Sequence, residues 1–121
     1  MDLHLQPLPG TSLAETLADK PIICTAADGA DLVGNLYFQG FDGVLLLERH
    51  LAPAFFDLKT GLAGEVLQKF STYRLRLAIV GDFSTYPGRS IQDFIRESNE
   101  RGQICFVASR EAALARLTRA G

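Results

Sequence analysis

The chain has 121 residues, 47% hydrophobic and 21% charged, enough for one domain and too apolar for intrinsic disorder. Lys+Arg 12 against Asp+Glu 14 leaves a net charge of -2, so the basic excess that drives binding to phosphate backbones is missing and nucleic acid is not an expected partner. The longest apolar runs, Gly43–Leu47 and residues 75–81, are far shorter than the roughly 20 residues that span a bilayer. Met1-Asp2-Leu3-His4 lacks a basic segment leading into an apolar run, so neither a membrane role nor secretion is expected and the location reads as cytoplasmic.

Leu3, Leu5 and Leu8, the turn signal Pro9-Gly10 and the stretch from Leu13 on to Leu17 read as an opening β-hairpin. Ser12-Leu13-Ala14-Glu15-Thr16-Leu17 also fits one helical turn, because apolar spacing over so short a stretch does not decide. Ile22-Ile23-Cys24-Thr25 is a short β-rich run. Asp28 then caps a helix whose inward face carries Leu32, Val33, Leu36 and Tyr37, with Gly40 as its stop. Within that helix Asn35-Leu36-Tyr37-Phe38-Gln39-Gly40 resembles a viral-protease cleavage sequence. It continues the apolar stripe, however, and reads as native helix, with Tyr37 and Phe38 as core and flank.

Gly43-Val44-Leu45-Leu46-Leu47 is a continuous apolar run, the mark of a strand buried on both faces. A second helix follows over about Thr60 to Thr72, with Leu62, Ala63, Val66, Leu67 and Phe70 inward. Residues 75–80 form the next buried strand, ending in Gly81-Asp82. Past the Pro87-Gly88 loop, Ser90 and Asp93 have capping-box spacing, Ile91, Phe94 and Ile95 face inward, and Gly102 stops the helix. Ile104 to Ala108 is the last strand, and Ser109 caps a helix with Ala113, Leu114 and Leu117 inward. Strands alternating with helices of this length predict one α/β domain over residues 1–121: a mixed, mostly parallel sheet of about five strands with about four helices and an N-terminal β-hairpin.

Chemistry-bearing residues are few. Cys24 and Cys105 fall in apolar strand runs, with no C-x-x-C and no histidine cluster, and read as buried small hydrophobes. His4 and His50 are far apart and neither lies in a motif. No catalytic constellation, cofactor motif or metal-ligand spacing is recognisable. Asp82 directly follows a predicted parallel strand, so it belongs at the C-terminal sheet edge where open α/β folds bind ligands. Asp28, Asp42 and Asp57 sit in or beside loops. One reading gathers some of them at that edge around a cation or phosphoryl group; the favoured one has each capping local backbone N–H groups.

Asp57-Leu58-Lys59-Thr60-Gly61-Leu62-Ala63-Gly64 opens the second helix, where unpaired N–H groups favour anions. Thr60 there caps the helix, contacts an anionic ligand or accepts a phosphoryl group. The P-loop spacing is absent, and Gly61 and Gly64 read as points of close helix-to-sheet approach.

Three strings carry a family resemblance: Gly40-Phe41-Asp42-Gly43-Val44, residues 55–65 (Phe-Phe-Asp-Leu-Lys-Thr-Gly-Leu-Ala-Gly-Glu), and Leu77-Ala78-Ile79-Val80-Gly81-Asp82-Phe83-Ser84. With Asp93-Phe94-Ile95-Arg96-Glu97-Ser98-Asn99 and Glu111-Ala112-Ala113-Leu114, they make the chain resemble a small bacterial family catalogued as domain of unknown function 4180, whose name carries no activity. The element order is also similar to the STAS domain of anti-anti-sigma factors and sulfate-transporter tails. In STAS domains an aspartate, a phosphorylatable serine and a glycine-leucine pair open the helix after a buried strand. Asp57, Thr60 and Gly61-Leu62 match in order, with one extra residue before Thr60 and Thr in place of Ser.

That resemblance implies a non-enzymatic regulatory or protein-interaction module. Its contact surface for an unidentified protein partner would hold Asp57, Thr60 and Gly61 together with Asp82, Ser84 and Tyr86. The alternative is a small-molecule or phosphoryl-group binding protein using carboxylates at the same edge. Homo-oligomerisation through an exposed hairpin edge stays open.

Overall fold

The structure, a computed structural model, describes residues 3–118; Met1 and Asp2, which enter the leader reading above, lie outside the described residues. Its elements are β1 (Leu5–Pro7), β2 (Leu13–Thr16), α1 (Ala26–Phe38), β3 (Gly43–Leu47), α2 (Leu62–Thr72), β4 (Arg76–Val80), α3 (Arg89–Arg101), β5 (Ile104–Val107) and α4 (Arg110–Leu117). They form a single α/β unit with a five-stranded sheet in the order β1-β2-β3-β4-β5. β1 runs antiparallel to β2 as the expected hairpin, and the remaining pairs are parallel.

Because each new strand joins beside the last, successive crossovers step across the sheet in one direction and stack α1, α2 and α3 on one face. Leu32, Val33 and Leu36 of α1, Ala63, Val66 and Phe70 of α2, and Ile91 and Ile95 of α3 pack there against Val44, Leu46, Leu77 and Ile79. The alternate strand residues Leu45, Ala78 and Cys105 face the other way, onto Ala113 and Leu117 of α4. Each central strand is thus buried on both faces, which is why its sequence is uninterrupted apolar rather than alternating.

The sheet edges are blunted. β1 is three residues long and ends in Pro7. On the outer edge of β5 the Asn99 amide accepts from Phe106 N–H at 2.7 Å and donates to Phe106 C=O at 3.2 Å, imitating the neighbouring strand that β5 lacks.

Several local expectations are corrected. Ile22-Ile23-Cys24-Thr25 is not a strand: only Ile23 makes a bridge, to Leu51. The N–H groups of Ile22 and Ile23 both donate to the His50 carbonyl, and Thr25 is already the helix cap. Thr25 and Asp28 close a capping box, so Asp28 is the third helical residue rather than the cap. Tyr37 is 63% and Phe38 92% exposed, because the inward stripe ends at Leu36 and the next positions rotate outward. Ser90 and Asp93 form no capping box: α3 starts at Arg89 behind Gly88 without a side-chain cap, and Asp93 pairs with Arg89 and Arg96. Close approach is the role of Gly29, where an added Cβ would lie 2.8 Å from Val66 of α2; nothing lies within 4 Å of that position at Gly61 or Gly64.

Candidate functional site

The parallel strands end on one rim, and two loops build most of it. The chain leaving β3 makes three short 3-10 turns, Glu48–His50, Pro53–Phe56 and Leu58–Thr60, before α2. The chain leaving β4 runs through residues 81–88 before α3.

His50 holds the first turn. Its ring is 1% exposed; Nδ1 accepts from Leu47 N–H at 2.9 Å and Nε2 lies 2.7 Å from the Ala18 carbonyl. An acceptor at Nδ1 requires the proton on Nε2, so the ring is neutral and ties the end of β3 to the chain leaving β2. Burial, with Arg49 nearby, lowers its pKa against the opposing pull of Ala18 C=O.

Thr60 ends the third turn, exposed on the rim as expected. Its hydroxyl lies 2.7 Å from Ala54 C=O and 2.9 Å from Asp57 C=O, and it accepts from Leu62 N–H at 3.2 Å. It therefore satisfies one of the unpaired N–H groups at the start of α2. Between them, Gly61 sits at φ +75°, a left-handed conformation that lets the turn reverse directly into the helix. The Asp57 carboxylate accepts from Lys59 N–H at 3.1 Å.

In the β4 loop, Asp82 accepts from both the hydroxyl (2.6 Å) and the backbone N–H (3.2 Å) of Ser84. Those bonds, hydroxyl first, lower its pKa. Tyr86 stacks on Phe56 with ring centres 4.6 Å apart, and its hydroxyl donates to Glu48 Oε2. Burial first, then that bond, raises its pKa well above the ordinary phenol value. Glu48 Oε1 in turn accepts from Asp82 N–H at 3.2 Å, and Gln92 of α3 donates to the carbonyls of Phe83 and Tyr86.

The rim thus brings the two expected groups, Asp57-Thr60-Gly61 and Asp82-Ser84-Tyr86, into adjacent loops joined by the Phe56–Tyr86 stack. An open concavity of about 580 Å³ lies beside that stack against Leu51, Pro53 and Val80. A second of about 550 Å³ runs between Asp57 and Lys59 on one wall and Gly88 and Arg89 on the other.

The four aspartates do not converge. Asp28 accepts from Cys24 and Thr25 N–H, Asp57 and Asp82 serve their own loops, and Asp42 precedes β3 at the opposite sheet edge. Among the described residues there is no cluster of metal-ligating groups. Cys105 is buried, which raises its thiol pKa, but Cys24 is exposed, contrary to expectation.

Glu48, Phe56 and Gln92 are missing from the residues expected from sequence. Glu48 had a readable signal: it follows the β3 run just as Asp82 follows that of β4. With Leu47 paired to Val80, its side chain leans over Gly81. No helix among the described residues is long and apolar enough to cross a membrane.

Neither the curated proteins nor the solved structures contain a match to this chain. A family model described as "Domain of unknown function (DUF4180)" matches residues 9–117, and the chain belongs to that family.

Proposed function

We propose that this protein is a non-enzymatic regulatory module of STAS-like type that docks a protein partner on the C-terminal rim, switched by phosphorylation of Thr60. The observation that carries the reading is the exposure of Thr60 at the mouth of α2, between Asp57 and Gly61 and beside the Phe56–Tyr86 stack. The order of hairpin, then helix and strand in alternation, with strands adjacent in chain order, supports the STAS-like assignment; it is an argument from analogy.

Phosphorylation acts here chiefly through charge. The ester oxygen loses its proton, but the Ala54 and Asp57 carbonyls keep the N–H groups of Asp57 and Thr60, so that loss by itself changes the turn little. The added charge of about -1.5 to -2 stands beside the Asp57 carboxylate, and the like charges repel, which loosens the docking edge.

The test is capture of a partner from extract of the source cells by wild type, Thr60→Ala and Thr60→Asp. The switch predicts a partner retained by Thr60→Ala and lost from Thr60→Asp; equal recovery by both removes the switch. A second reading, a small-molecule binding protein, draws on the concavity beside Tyr86. Its wall of apolar side chains with one carboxylate, Glu48, and one guanidinium, Arg49, suits a largely apolar ligand with a polar end. A thermal-shift panel separates the two: ligand at 100 times its dissociation constant adds about 2.7 kcal/mol to stability, and a flat panel excludes this alternative.

A further inference from the structure

The opposite sheet edge carries a separate feature. Arg74, Arg76, Arg101 and Arg116 line one concavity of about 440 Å³, in a chain whose net charge is -2. Glu100, the acidic residue in the same wall, is paired with Arg96 at 3.9 Å. Asp42 stands on an adjoining depression that shares Arg74 and Arg76.

The protein's other ion-paired arginines are neutralised locally: Arg89 and Arg96 by Asp93, and Arg110 by Glu15. Among the described residues Arg74, Arg101 and Arg116 form no ion pair. Arg116 is held by the Asn99 carbonyl, a bond that orients its guanidinium without cancelling the charge, and Arg76 donates to the Leu117 carbonyl.

Helix C-termini collect here, and their carbonyls favour cations. That accounts for Arg76 and Arg116, which contact such carbonyls, and for Arg101 in the last turn of α3; what it leaves over is that these arginines and Arg74 gather on one concavity whose acidic residue is already paired. Arg74, at φ +55°, follows the C-cap residue Tyr73 at the left-handed position where glycine is favoured; the bonds from Arg74 N–H to Ser71 C=O and from Leu75 N–H to Phe70 C=O close the helix end there.

We infer that this concavity binds a soluble ligand through a multiply charged phosphate group. Guanidinium forks match phosphate oxygens in pairs, and the volume suits a small metabolite. A polyphosphate offsets the mutual repulsion of several arginines, which one carboxylate does not.

The probe is pyrophosphate, titrated by calorimetry and thermal shift against sodium chloride of equal ionic strength. Wild type is expected to bind saturably, and Arg101→Gln to weaken binding by about tenfold or more, the scale of one charged hydrogen bond. Arg74→Gly relieves the left-handed backbone, so it is expected to keep or raise Tm while binding more weakly. Arg110→Gln, at the far end of α4 and paired with Glu15, is expected to bind as wild type. Absence of saturable binding, or equal affinity in wild type and Arg101→Gln, overturns the site. Sedimentation with phosphatidic acid vesicles, but not phosphatidylcholine vesicles, by a protein that ignores pyrophosphate overturns the soluble-ligand assignment.

Discussion

The two ends of the parallel strands differ in chemistry, and much of the difference follows from topology. At the C-terminal rim the helices begin, so N–H groups accumulate, and Asp28, Asp57 and Thr60 turn their oxygens back onto them. At the N-terminal rim the helices end, so carbonyls accumulate, and Arg76 and Arg116 donate to them. Polarity of that kind is a consequence of βα order and marks no function. What remains is more informative: an exposed threonine and a stacked aromatic pair on one rim, and on the other a concavity that gathers four arginines.

The largest expected effect lies on the C-terminal rim, at a residue that takes no part in docking. Replacing His50 by Leu leaves Leu47 N–H and Ala18 C=O without partners in the interior, at about 1–3 kcal/mol for each orphaned group. Urea unfolding is expected to register a total of about 2–6 kcal/mol, whereas Arg101→Gln on the other rim is expected to stay within about 0.5 kcal/mol.

His50 also sets a pH dependence. Its folded-state pKa lies below the ordinary 6.5, so above pH 6.5 both states are neutral and its contribution is complete. As pH falls through 6.5 the unfolded chain takes up a proton that the folded chain resists, and stability declines. Melting curves between pH 7.5 and 5.5 are expected to show this decline in wild type and a shallower one in His50→Gln.

The next pair sets one glycine from each rim against the other. At Gly43 an added Cβ lies 2.6 Å from the Arg76 carbonyl, which is backbone and fixed by the sheet. Gly43→Ala should therefore cost about 1–3 kcal/mol. At Gly81 the obstacles are the Glu48 carboxylate at 2.5 Å, which can rotate away, and the Glu48 Cβ at 2.7 Å, which its own backbone holds in place. Gly81→Ala should therefore also cost about 1–3 kcal/mol, and it separates Glu48 from Tyr86. Ultraviolet titration is the more telling measurement: the Tyr86 phenol, pushed up in wild type by burial and by Glu48, should move down toward the ordinary phenol value of 10.

Sequence patterning reaches these rims unevenly. Strands β3 and β4 were legible because double burial demands unbroken apolar runs. The rim position of Asp82 followed from its place just past such a strand, and that of Thr60 from its place at the opening of the second helix. Ile22-Ile23 misled because β-branched residues buried against a loop look the same as a strand; only the His50 carbonyl, 27 residues beyond Ile23 in sequence, reveals the difference. The Glu48–Tyr86 bond and the four-arginine concavity were invisible for a related reason. Each joins residues from separate βα units, and spacing along the chain says nothing about neighbours across a sheet.

The smallest effect isolates what a rim hydroxyl does. Thr60 accepts from Leu62 N–H, an otherwise unpaired helix donor, and donates into the preceding turn. Thr118, at the end of α4, donates to Leu114 C=O at 2.7 Å, a carbonyl that already accepts Thr118 N–H at 3.0 Å. Removing the first hydroxyl deprives a group of its partner; removing the second takes away a duplicate. Thr60→Ala is therefore expected to cost about 1 kcal/mol, Thr60→Ser much less, and Thr118→Ala to stay within about 0.5 kcal/mol. Equal losses at the two threonines would mean that the turn closes without the Thr60 hydroxyl, and a phosphoryl group there would then act through its charge alone.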